Sequence, residues 1–156
     1  MKQLCVLLVL ACACTKPDDL PALRDEAHAT VAQYSDQLDQ LYTRFGKIKD
    51  RGTELKVYYP GSDEAGMLMK ATFNQMEVMR GELANADQQI KAATTADELR
   101  SRIDTYREIA EDGTPKTDKH PPLEGIPALG RDLDLIDSWV THTESVKAAG
   151  SAMLPP

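Results

Sequence analysis

The chain has 156 residues, 42% hydrophobic and 28% charged, a globular balance with enough apolar side chains for one hydrophobic core. Acidic residues outnumber basic ones 25 to 18, and the net charge of −7 argues against nucleic acid as a partner and against attachment to an anionic bilayer by surface charge. All three cysteines, Cys5, Cys12 and Cys14, precede residue 15, which excludes a disulfide framework or a thiolate zinc site in the rest of the chain.

Lys2 supplies a positive charge and Leu4 to Ala11 forms an unbroken apolar run. A membrane-spanning helix needs roughly 20 apolar residues, and this run stops at about half that length, the layout of a secretory signal. Val9-Leu10-Ala11-Cys12 then resembles the lipobox of bacterial lipoproteins: an aliphatic residue, a tolerant position, a small residue and a cysteine. The pattern has a chemical reason. A thiol is the nucleophile that takes the diacylglycerol thioether, and small residues let the backbone enter the signal peptidase. Cys14 follows the small Ala13 and is the second candidate for lipidation, while Ala11-Cys12-Ala13 also fits an ordinary A-x-A cleavage site that releases a soluble periplasmic protein.

The resemblance implies a signal peptide at 1–13, cleaved before Cys12 or Cys14, and a short tether at 14–18. It also implies acyl attachment to an envelope membrane, with the lipid bilayer as the first partner. Four extended residues span roughly 14 Å, so the tether holds the body near the bilayer. Ala13 or Thr15, rather than aspartate, follows the candidate cysteine; by likeness to enterobacterial sorting this implies the periplasmic face of the outer membrane.

The body, 19–150, reads as helices. Asp18 and Asp19 before Leu20-Pro21 form an acidic start with proline in the first turn. Leu20, Leu23, Ala27, Val31, Tyr34, Leu38, Leu41, Phe45 and Ile48 recur at threes and fours, predicting a first helix that ends at Gly52. A connection follows; Leu55 to Tyr59 has strand propensity but no partner strand. Ser62-Asp63-Glu64 opens a second helix with Met69, Phe73, Met76, Leu83, Ala86 and Ile90 inward, flanked by Met79. Thr95-Ala96-Asp97-Glu98 is a capping box, and starts a third helix through Leu99, Ile103 and Tyr106. With Pro115, Pro121, Pro122 and Pro127, the stretch from Gly113 to Pro127 is predicted to lack regular structure. A fourth helix starts near Ala128, with Leu129, Leu133, Ile136 and Val140 on one face and a second stripe, Leu135, Trp139, His142 and Val146, beside it. Gly150 ends it, leaving 151–156 as a frayed tail. The fold class is all-α, an antiparallel four-helix bundle; the alternative is a three-helix bundle with a kinked second helix.

Chemical motifs are sparse. Met67, Met69, Met76 and Met79 at helical spacing read as core filler rather than a copper site. Asp132, Asp134 and Asp137 lack the glycine and glutamate of a calcium loop. In an up-down-up-down bundle His28 and His142 would share a level, a topological likeness to four-helix b-type cytochromes that makes a haem or metal carrier the alternative function. The primary reading has no cofactor and no catalysis. It is a membrane-anchored lipoprotein whose bundle contacts another envelope protein near the membrane, as pilotins and assembly adaptors of helical fold do. The contact residues are expected in the two loops, at Tyr58 and Tyr59 and at Pro121, Pro122 and Ile126.

Overall fold

Asp19 precedes helix α1 (Leu20–Glu54), and its Oδ1 accepts a hydrogen bond from the Ala22 N–H at 3.4 Å. Pro21 lies in the first turn, where a missing N–H leaves no intrahelical bond unmade. The computed structural model describes residues 19–55, 64–115 and 122–152. Within it α1 buries Ala27, Val31, Tyr34, Leu38, Phe45 and Ile48, while Leu20, Leu23 and Leu41 pack on the core's edge. The helix passes through Gly46 and Gly52 and ends two residues beyond the predicted stop. A mid-helix glycine costs about 1 kcal/mol, which the packing of a long apolar face outweighs.

Helix α2 (Glu64–Ala92) sends Met69, Met76, Met79, Leu83, Ala86 and Ile90 inward. Phe73, expected on that face, turns toward α1 and lies partly exposed with its ring 5.3 Å from that of Phe45 and 6.1 Å from that of Tyr42. Helix α3 (Ala96–Asp112) starts with both arms of the capping box. The Glu98 N–H donates to Thr95 Oγ1 at 3.2 Å, and Glu98 Oε2 accepts from the N–H groups of Thr95 at 3.3 Å and Thr94 at 2.7 Å.

After α3 the structure corrects the expected irregular stretch. Strand β1 (Gly113–Thr114) pairs antiparallel with β2 (Leu123–Glu124), Gly113 opposite Glu124 and Thr114 opposite Leu123. Pro115 and Pro122 flank this short ladder instead of occupying it, and Gly113 supplies the positive φ of 80° that ends α3. Helix α4 (Ile126–Ala152) begins two residues earlier than predicted, with Pro127 in its first turn. The Gly125 carbonyl accepts from the N–H groups of Ala128 and Leu129 at 2.9 and 3.1 Å.

Cross-helix partners give the directions. Arg24 bonds the Ala93 carbonyl, His28 meets Asp87 and Tyr42 meets Glu77, so α1 and α2 are antiparallel. Arg44 meets Asp134, whereas Arg51 meets Asp137 and Glu144, so α4 runs parallel to α1. The hairpin explains why: it leaves the end of α3 and returns to the same place, so the chain continues in its former direction. The result is an all-α bundle of four helices in which α1 and α2 run the full length and α3 and α4 occupy the third side in succession. Each cross-section therefore holds three helices around a core that includes Leu38, Met76, Met79, Leu99, Leu129, Leu133 and Ile136.

Candidate functional site

Cys12, Cys14, Tyr58, Tyr59 and Pro121 lie outside the described residues. Of the other two expected contact residues, Pro122 is exposed, and its carbonyl accepts from Gln75 Nε2 at 2.9 Å. The Glu124 N–H donates to Gln75 Oε1 at 3.2 Å, so one side-chain amide on α2 holds the returning arm of the hairpin at two points. Ile126 is a core residue at 6% exposure and offers no contact surface. The sequence placed it in a loop because four prolines surround it; in fact it opens α4 and points inward beside the buried Leu123 and Leu129.

The structure separates the two histidines. His28 Nδ1 sits 3.2 Å from Asp87 Oδ1 near the start of α1. His142 follows Thr141, which accepts a hydrogen bond from Arg51 near the other end of the same helix. The parallel course of α4 thus puts them roughly 35 Å apart along α1, too far to share one haem or metal. No group of three or more His, Cys, Asp or Glu among the described residues is placed to hold a metal ion. Met69, Met76 and Met79 are core residues; Met67 is not, at 51% exposure. The three aspartates of α4 hold the bundle together: Asp132 accepts from Thr72 Oγ1, Asp134 from Arg44 and Asp137 from Arg51.

Arg51 is the most connected polar side chain at this end. Its Nε and Nη2 reach both carboxylate oxygens of Glu144 at 2.9 and 2.6 Å, its Nη1 reaches Asp137 at 2.6 Å, and Nη2 also reaches Thr141. The hydrogen bond and charge of Arg51 hold Glu144 below the ordinary carboxylate range. Beyond Glu144, α4 runs on for about two turns, and residues 145–150 are exposed.

Two surfaces remain as candidate sites. One is a polar cleft of about 600 Å³ where α3 gives way to α4, lined by Gln33, Tyr34, Gln37, Glu111, Asp112 and Arg131 among others. Tyr34 Oη donates to Glu111 Oε1 at 2.5 Å across it, and burial, then that bond, raises the Tyr34 hydroxyl above its ordinary value. The other is apolar. Leu135 and Val146 on α4 are 63% and 57% exposed, and half-buried Trp139 between them packs toward Ala65 and Met69 of α2.

The sequence showed the stripe Leu135, Trp139, His142 and Val146 as a second face of the fourth helix but not that it would stay uncovered. That depends on the direction of α4, which no local pattern encodes. Gln75 and Arg51 carried no motif at all. Among the described residues no helix is long and apolar enough to cross a membrane. Compared with protein-family models, curated proteins and solved structures, the chain matches none.

Proposed function

We propose that this chain is a lipid-anchored protein of the bacterial envelope, on the periplasmic face of the outer membrane, whose helical bundle acts by protein–protein contact and not by catalysis. The anchor is supported by Val9-Leu10-Ala11-Cys12, with Cys14 close behind, after a short apolar run. One observation carries the contact reading. Leu135 and Val146 each keep more than half of their surface exposed toward the end of the bundle remote from Asp19, in a chain of net charge −7. Arg44, which meets Asp134, stands roughly 40 Å along α1 from Asp19, so this surface lies well away from the anchor. It replaces Ile126 as the place to look for a partner.

Expression in a lipoprotein-competent bacterium tests the anchor: the mature N-terminus should be a diacylglyceryl cysteine at Cys12 or Cys14. An unmodified, freely soluble product contradicts it. In-cell cross-linking followed by purification tests the contact, which predicts attached protein. Recovery of the chain with neither an envelope protein nor a second copy bound contradicts it.

A further inference from the structure

We propose that a proton latches the β1–β2 hairpin to the bundle. Shared between the carboxyls of Glu124 on β2 and Asp132 on α4, it holds the returning arm of the hairpin down, and its loss loosens that arm. The latch acts on the joint between α3 and α4 and depends on neither the lipid anchor nor the contact surface.

Three elements build the cluster. Thr72 and Gln75 stand three residues apart on α2 and so share one face of that helix. Gln75 grips the backbone of the arm, donating to the Pro122 carbonyl at 2.9 Å and accepting from the Glu124 N–H at 3.2 Å. Thr72, a polar side chain at 1% exposure, donates its hydroxyl to Asp132 Oδ2 at 3.3 Å. The Glu124 carboxyl in turn lies within hydrogen-bond reach of the Asp132 carboxyl. Two ionised carboxylates offer each other only acceptors, so a hydrogen bond here needs one proton between them. Thr72 already donates to Asp132, which makes Asp132 the acceptor and Glu124 the donor.

Partial burial, and then the Asp132 carboxylate, raise the Glu124 carboxyl above its ordinary value and favour the proton. Arg131 on α4 opposes them, and its influence is the weakest of those acting on Glu124. Among the described residues α2, β1 and α3 present no other charged group to it. Part of Glu124 stays exposed, so the proton exchanges directly with solvent. When it leaves, two like charges stand in contact and Glu124 is pushed away from Asp132. The same residue supplies the N–H that Gln75 accepts and the position that pairs with Gly113. The push therefore reaches both attachments of the arm. Protonation favours the closed arm, so the latch tightens as pH falls through the raised Glu124 value and loosens as pH rises.

Amide hydrogen exchange of the full chain at about pH 7.5 and about pH 5, corrected for the intrinsic pH dependence of exchange, tests the latch. Protection of the Glu124 amide should be at least about threefold greater at the lower pH, and core amides of α1 such as that of Leu38 should gain less. Glu124→Gln places an amide there that donates to Asp132 at either pH. Asp132→Asn places one on α4 that donates to an ionised Glu124. In both variants protection at position 124 should be the same at the two pH values. Equal protection in the wild type, a gain shared in full by Leu38, or a pH dependence that survives in either variant overturns the proposal.

Discussion

Gly125 lies against Glu111 so closely that a Cβ at Gly125 would come within 2.2 Å of the Glu111 carbonyl oxygen. This approach splices the end of α3 to the start of α4 and lets two helices occupy one side of the bundle. Gly113, at the other arm of the hairpin, faces the Leu123 carbonyl oxygen at 2.0 Å from its would-be Cβ and has φ of 80°. Gly125→Ala and Gly113→Ala should each cost roughly 2–3 kcal/mol, measured by urea unfolding. Gly81→Ala, on an open stretch of α2 with nothing within 4 Å, should add about 0.5–1 kcal/mol instead. Equal effects at all three positions would refute a spliced junction.

Gln75 ties the hairpin to α2 through both ends of its amide. Gln75→Ala should cost about 1 kcal/mol for the lost pair of bonds. Hydrogen exchange at the Glu124 amide should accelerate more than exchange at core amides of α1. Unchanged exchange at Glu124 would mean that strand pairing alone holds the segment.

Leu38 at 2% exposure and Leu135 at 63% separate the two roles of apolar residues in this fold. Leu38→Ala should destabilise by roughly 2–5 kcal/mol through the cavity it leaves. Leu135→Ala should stay within about 0.5 kcal/mol of wild type for the isolated bundle, as a surface change does.

Stability should fall in acid for identifiable reasons. The N–H groups of Thr94 and Thr95 hold Glu98 below the usual carboxylate range, and Arg51 does the same to Glu144. Both favour the folded state above the unfolded-state pKa, and the benefit disappears as pH drops through the lower folded value. Glu124 is shifted the other way, by burial first and then by the neighbouring Asp132. Its charged form disfavours folding at neutral pH, and that penalty lifts as pH falls through its raised value. The melting temperature should hold or rise slightly from neutrality to about pH 5 and decline below about pH 4. Glu124→Gln should raise it at neutral pH and flatten the upper part of the profile. A lower melting temperature in this variant at pH 7 would refute the assignment.

The helices were legible because their signals are local. The Asp19 cap, the capping box from Thr95 to Glu98 and the stripe from Ala27 to Ile48 all lie within a few turns of chain. What escaped is tertiary. Phe73 has the spacing of a core residue, yet its ring is drawn to Phe45 and Tyr42 at the edge of α1. Ile126 sits among prolines that suggested a loop, but Pro127 is tolerated in a first helical turn and the residue before it is free to turn inward. The course of α4 followed from neither pattern. A two-strand hairpin, too short to leave a period in the sequence, decides whether the last helix reverses or continues. That choice set the histidines apart and left the second stripe of α4 uncovered.

Contact through α4 is tested most directly by site-specific photo-cross-linking in cells. A photoreactive residue at Leu135 or Val146 should capture protein, either an envelope protein or a second copy, and one at the exposed Asp104 on α3 should capture none. Capture from Asp104 with none from Leu135 or Val146 would contradict contact through α4 and move the working surface to the end of the bundle where α1 begins.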